Sequence, residues 1–150
     1  MDKYDFIHCQ KVAIFREDSV LLGKRKGEVD YNGVFTLFGG KMEITDSDLI
    51  AAMKREKDEE LGASLRVSLY PLFSYNFMFD RKDGRRVVLS HYYGRYHSGE
   101  IRLSDEYSEA RWVDVRVVPF FEPKVESLPR VISELTKLER LIQEGDFVLI

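Results

Sequence analysis

Hydrophobic and polar positions alternate along the first quarter of the chain in a way that predicts strands. Residues 10–15 and 20–24 are rich in β-formers, and the polar break at 16–19 between them predicts a hairpin. Residues 27–33 are polar and turn-prone. The apolar run Val34, Phe35, Thr36, Leu37, Phe38 reads as a short strand that stops at Gly39 and Gly40. From 48 to 61 the period becomes helical: Leu49, Ile50, Met53 and Leu61 share a stripe, with Asp48 or Ser47 as N-cap and Gly62 closing the helix in a left-handed conformation. Residues 65–79 are β-rich, with Phe73, Tyr75, Phe77 and Phe79 alternating, and a turn at 80–84 returns the chain through 85–97. A short strand at 110–115 and a proline-containing connection at 119–129 follow. Leu128, Val131, Leu135, Leu138 and Ile142 then predict a second helix over 127–143. Strands outnumber helices and one helix lies between strands, so the expected class is α/β or α+β, with helices packed on a mixed sheet.

A length of 150 residues suits one domain spanning 1–150, without repeats or low-complexity linkers. Apolar residues at 44% and charged residues at 33% exclude bulk disorder. Lys and Arg number 23 against 26 Asp and Glu, and a net charge of -3 argues against a general duplex nucleic-acid binder. Cys9 is the single cysteine, which excludes an intrachain disulfide or a cysteine metal cluster, and His8, His91 and His97 have no metal-ligand spacing. Residues 1–5 are too polar for a secretory signal, and no apolar run approaches the ~20 residues that cross a bilayer. The expectation is a soluble, cytoplasmic protein with no membrane partner.

The most informative stretch is Gly39-Gly40-Lys41-Met42-Glu43 followed by the helix ending Arg55-Glu56-Lys57-Asp58-Glu59-Glu60-Leu61-Gly62. Positions three and four apart share a helix face, so Glu56, Glu59 and Glu60 are expected to converge near the C-terminal end. Three carboxylates there repel one another and the negative end of the helix dipole. A divalent cation relieves that repulsion, and hard oxygen ligands suit Mg²⁺ or Mn²⁺.

These residues, from Gly40 to Ala63, resemble the box of the Nudix hydrolases: Gly, five residues, Glu, seven residues, Arg-Glu-apolar-x-Glu-Glu-x-Gly-apolar. The preceding hairpin, the Leu-Phe-Gly-Gly-Lys strand end and the late Glu-Ala-Arg-Trp-Val are also similar to the family. There are three departures. The isolated glutamate falls on Asp46 when counted forward from Gly40 and on Ser47 when counted back from Arg55, so the loop is one residue longer and carries no glutamate there. Lys57 stands at an apolar position; its stem is expected to pack while its ammonium snorkels outward. Phe38 precedes the two glycines in place of proline.

The resemblance implies a helix-sheet-helix sandwich and a metal held by the Gly40 carbonyl, Glu56, Glu59 and Glu60, with Glu56 and Glu60 the preferred pair. Arg55 belongs to the catalytic set by holding a glutamate through a bidentate bond, not by touching substrate. Lys41 and Glu43 lie beside the metal; Glu43 either positions the diphosphate or a water, or is a solvated loop carboxylate. The cation neutralises anionic oxygens that repel water, and a carboxylate removes the water's proton. That base lies in the box, where Glu56 and Glu59 are the catalytic candidates, or in a later loop, where Glu106 is preferred over Glu109.

The expected substrate is a nucleoside diphosphate derivative, in first place a nucleoside triphosphate cleaved by a pyrophosphohydrolase. Tyr31, Phe35, Tyr75, Phe77 and Tyr93 are candidates for stacking on a base, though aromatics at strand spacing are more often core. Arg25, with Lys24, Lys26 and Arg85, is placed to attract a polyphosphate. The alternative is a non-catalytic nucleotide-sensing or interaction module on the same scaffold. Homodimerisation, common in the family, stays open.

Overall fold

A computed structural model describes residues 6–27 and 31–150. The polar segment 1–5 and positions 28–30 of the expected loop lie outside the described residues.

The innermost strand is β1 (Phe6–Arg16), which forms a hairpin with β2 (Ser19–Arg25). Two short strands, β3 (Phe35–Thr36) and β4 (Phe38–Lys41), precede helix α1 (Leu49–Leu61). Strands β5 (Arg66–Asp80), β6 (Arg86–Ser98) and β7 (Tyr107–Asp114) follow, then helix α2 (Leu128–Leu138) and a final strand β8 (Val148–Leu149). The order β3-β2-β1-β6-β5-β8, with β4 on β1 and β7 on β2, makes one sheet. It is mixed because β1 and β6 run parallel while the other pairs are antiparallel.

Both faces of β1 are buried, and its two-residue period divides the core. Val12 and Ile14 pack with Met53 and Leu61 of α1, whereas Ala13 and Phe15 pack with Leu128, Val131 and Leu135 of α2. The result is an α+β helix-sheet-helix sandwich. No helix among the described residues is long and apolar enough to cross a membrane.

Four local expectations need correction. The run expected to be one strand stopping at Gly39 and Gly40 is two, and β4 carries both glycines on to Lys41 as partners of β1. The second helix ends at Leu138, not at Gln143: a short 3-10 turn, Glu139–Leu141, leads to extended backbone at Ile142. The chain must turn there to bring β8 onto Ser68 and Leu69, a strand too short to show a pattern in sequence. Leu49, expected on the inward stripe, is 40% exposed as the first residue of α1. The alternation in β5 is interrupted, since Tyr70 and Tyr75 pair with Tyr93 and His91, so five steps on β5 match two on β6.

Candidate active site

Helix α1 begins where Asp48 Oδ1 accepts the Ala51 N–H at 2.8 Å, a side-chain cap of the first turn. It ends at Gly62, whose φ of 89° is glycine's region and whose N–H donates to Asp58 O at 3.0 Å. The last carbonyls are also met: Arg102 N–H donates to Leu61 O at 2.8 Å and Ser104 N–H to Glu60 O at 3.0 Å. These two bonds fasten the loop before β7 to the helix end and carry Glu106 to the rim of the same cleft as Glu56 and Glu59.

The inward stripe of α1 includes two charged residues, Lys57 and Glu60, each 2% exposed. The expectation that Lys57 reaches outward is wrong. Its Nζ donates to Leu65 O at 2.7 Å and pairs with Asp58, so the ammonium is satisfied inside. Glu60 is likewise held: Oε1 accepts the Gly39 N–H at 2.8 Å and Oε2 accepts the Tyr107 hydroxyl. Desolvation pushes the Glu60 carboxyl up to about 7, against the opposing pull of Lys11 and its two donors. Lys11 Nζ itself donates to Gly39 O at 3.2 Å, and burial holds its ammonium below the ordinary lysine range.

The three glutamates therefore do not form one exposed cluster. Glu56 and Glu59 face a cleft of about 550 Å³, while Glu60 lies buried behind Gly39. Glu56 packs against Gly40 so closely that a Cβ there would fall 2.7 Å from both of its carboxylate oxygens. Desolvation raises the Glu56 carboxyl, and Arg55 offsets part of that shift.

Arg55 is the hub of this wall. Its Nε and Nη2 donate to Asp46 Oδ1 and Oδ2 at 2.9 and 3.0 Å, the fork-to-fork geometry of a strong ion pair. Nη2 also donates to Lys41 O at 3.1 Å, and Nη1 reaches Glu56 at 3.1 Å and Glu43 and Glu59 at 3.3 Å. The bidentate partner is thus Asp46, not a glutamate, and it fills the place of the absent loop residue. Those hydrogen bonds and the Glu43 N–H hold Asp46 below the usual carboxylate range.

Arg25, Lys41, Glu43 and Glu106 line the cleft with Gly39 and Gly40. Phe35 does not: at 2% exposure it is core, edge-on to Phe121 at 4.9 Å and packed under α2. Tyr31 is 49% exposed and lies off the cleft lining. Tyr93 is buried and stacks on Phe15 at 4.8 Å, and Tyr75 and Phe77 pack on His91 against the α2-side core. Lys24 lies over the Phe35 ring, and Arg85 pairs with Asp83 at the far hairpin tip.

Two residues of the site, Lys11 and Tyr107, escaped sequence reasoning, as did the pairing of Asp46 with Arg55. Strict alternation puts Tyr107 on the face of Glu109 and Val113, but the register between β2 and β7 shifts at Lys24 and Arg25. That bulge adds Ser108 and turns Tyr107 inward beside Phe38, with ring centroids 4.7 Å apart. Opposite them a Cβ on Gly23 would fall 2.5 Å from Phe38 and 2.7 Å from Tyr107, so only glycine leaves room for both rings.

Among the described residues, no three His, Cys, Asp or Glu side chains converge tightly enough to enclose an ion, since the Arg55 guanidinium stands among Glu43, Glu56 and Glu59. The donor set still fits a hard cation. It offers the cleft-facing carboxylate oxygens of Glu56 and Glu59 with the Cβ-free backbone of Gly40 beside them.

A sandwich with acidic helix residues and a Gly-Gly strand end around one cleft defines a hydrolase class, and the comparisons place the chain within it. The NUDIX domain family model matches residues 10–135, so the chain belongs to the Nudix family and is a Nudix hydrolase. Among solved structures it is similar to a MutT NUDIX hydrolase from Burkholderia pseudomallei at 26% identity and a TM-score of 0.70. That match covers 87% of this chain and 98% of the other. Two more show the fold alone. A MutT protein from Methanosarcina mazei Go1 is 21% identical, with 91% and 97% covered and a TM-score of 0.71. A C. elegans Ap4A hydrolase is 12% identical, with 91% and 99% covered and a TM-score of 0.72. The comparison with curated proteins found no match. Membership of this family sets a hydrolase in place of the sensing module, and the family acts on nucleoside diphosphate derivatives.

Proposed function

We propose that residues 1–150 act as one domain, a pyrophosphohydrolase dependent on Mg²⁺ or Mn²⁺ that cleaves a nucleoside triphosphate to the monophosphate and pyrophosphate. The observation that carries this reading is the composition of one cleft: Arg25 and Lys41 share it with Glu43, Glu56, Glu59 and Glu106. A diphosphate resists attack because its own oxygens repel the nucleophile; a cation here would be held by the Gly40 carbonyl with Glu56 and Glu59 and would supply charge neutralisation. Glu60, the further ligand that the family resemblance implies, has both oxygens bonded behind Gly39 and would bear on the cation only through that backbone.

The chain's own groups do the rest. Arg25 and Lys41 meet the outer anionic oxygens and orient the diphosphate. Arg55 keeps Glu56 and Glu59 in place while Asp46 anchors it. Glu106, across the cleft from α1, is the preferred base for the attacking water, with Glu56 and Glu59 as the box candidates. A single cysteine, which forms no intrachain disulfide, supports a cytoplasmic site of action.

The test is a chromatographic screen of nucleoside triphosphates, nucleotide sugars and dinucleoside polyphosphates, the last kept in because one structural relative is titled an Ap4A hydrolase. Turnover of a triphosphate that requires added Mg²⁺ or Mn²⁺ and falls at least ~100-fold in Glu56→Gln is the expected result. Metal-independent turnover, or an unchanged rate in that variant, overturns the reading.

A further inference from the structure

We propose that Tyr107 is a positioning residue whose hydroxyl ties Glu60 to Arg25, so that the carboxylate behind the cleft and the cationic group on its wall share one fixed geometry. The inference rests on the hydrolase site described above and extends it to a residue outside the box.

The direction of the chain is set by chemistry. A guanidinium only donates, so Arg25 Nη1, at 3.2 Å, gives its proton to the Tyr107 oxygen. The phenol's one proton is left for Glu60 Oε2. The other carboxylate oxygen, Oε1, takes the Gly39 N–H at 2.8 Å, so both oxygens of Glu60 are held. The Arg25 guanidinium also lies 5.2 Å from the Tyr107 ring centroid, which gives it a second hold on the same side chain.

Packing does not account for the hydroxyl. Tyr107 is 2% exposed and its ring fits against Phe38 in the α1-side core, a role that phenylalanine would fill equally. Burying a hydroxyl is costly unless it is bonded, and its partners are Glu60 and Arg25. Arg25 lines the cleft and Glu60 does not, so Tyr107 connects a group that meets the substrate to one that sits behind the metal-side backbone. Supporting groups of this kind commonly change metal affinity or activity by about 10–100-fold when lost.

Wild type, Tyr107→Phe, Glu60→Gln and the double variant form a cycle read three ways: thermal unfolding, Mn²⁺ binding followed by the electron paramagnetic resonance of the free ion without nucleotide, and kcat and KM at saturating Mn²⁺. Tyr107→Phe is expected to unfold within a few degrees of wild type, to bind Mn²⁺ on the order of 10-fold more weakly and to lose about 10-fold in kcat. The same change added to Glu60→Gln is expected to cost Mn²⁺ affinity nothing further, because Tyr107 acts through Glu60.

Wild-type Mn²⁺ affinity and kcat in Tyr107→Phe overturn the proposal, as does a loss of equal size in both backgrounds. A lowered unfolding temperature with unchanged Mn²⁺ affinity also overturns it, by reducing Tyr107 to packing. If wild type itself takes up no Mn²⁺, the proposed dependence on a divalent cation falls instead. The unfolding arm of the cycle then decides whether Tyr107 and Glu60 are coupled, and additive effects there overturn the bridge.

Discussion

Asp46 and Arg55 face each other as two planar forks, joined by hydrogen bonds of 2.9 and 3.0 Å across a loop one residue longer than the family pattern. The extra residue brings the shorter aspartate within reach, so the ion pair survives the substitution. Asp46→Ala is expected to release Arg55 and lower kcat by about 10–100-fold, with a much smaller effect on the unfolding temperature. Asp46→Glu is expected to fall below wild type as well, because the aspartate already sits at hydrogen-bond distance from Arg55 and a longer arm would have to displace the fork. Steady-state rates of the two variants decide this, and a fully active Asp46→Ala would show that the carboxylates on α1 do not depend on Arg55 being held.

The adjacent glycines are expected to fail differently. At Gly39, with φ of 138°, a Cβ would lie 2.0 Å from the Gln10 carbonyl oxygen, a backbone atom in the middle of the sheet. Gly39→Ala should not yield folded protein. At Gly40 the obstacle is the Glu56 carboxylate at 2.7 Å, the end of a side chain that can move. Gly40→Ala should fold with near-normal circular dichroism and lose on the order of 100-fold in turnover as Glu56 is displaced.

His91 makes a distinct contribution to pH dependence. It is 3% exposed, one ring nitrogen lies 3.0 Å from Tyr75 O, and burial lowers its pKa to about 4 from an ordinary 6.5. On acidification the unfolded chain takes up this proton first. The stability tied to the neutral ring is therefore complete above pH 6.5 and drains away as pH falls toward 4. Denaturant melts between pH 7 and pH 4 should be steeper in pH for wild type than for His91→Gln, and equal slopes would remove His91 from the account.

Gln10 is fully buried on β1, and neither its Oε1 nor its Nε2 has a hydrogen-bond partner among the described residues. Replacing a buried group of that kind by an apolar one of similar length removes a desolvation cost of about 1 kcal/mol or more. Gln10→Met should thus raise the unfolding temperature by roughly 2–4 °C for a domain of this size. A lower melting temperature by scanning calorimetry would mean that the amide contributes a bond in solution.

Local signals carried far, and tertiary ones did not. Asp48, Met53, Leu61 and Gly62 locate α1 because capping, stripe and closure all lie within one element. The sandwich follows from β1, whose successive residues are apolar toward both helices. Phe35 and Lys57 misled, since an aromatic on a strand and a lysine on a helix look the same in sequence whether they face solvent, ligand or core. Tyr107 was hidden by Ser108, an extra residue in β7 that reverses the side on which its neighbours fall. Asp46 was visible only as a missing glutamate, because which counting direction applies depends on the shape of the loop. The roles of Glu43, Glu56, Glu59 and Glu106 remain part of the proposal, supported by their common cleft.

The pairing of β4 with β1 gives the two walls of the cleft unequal resistance to opening. Gly39 and Gly40 are laddered to Lys11 and Gln10, and β1 is in turn laddered to β6 along most of its length. Exposing those amides to deuterium therefore demands opening close to global unfolding, whereas the exposed segment at 43–45 lies outside any strand or helix and can exchange by brief local excursions. Ligand entry and product escape can then proceed by breathing of the outer lip while the floor stays immobile, so exchange at 43–45 should be orders of magnitude faster than at 39–40.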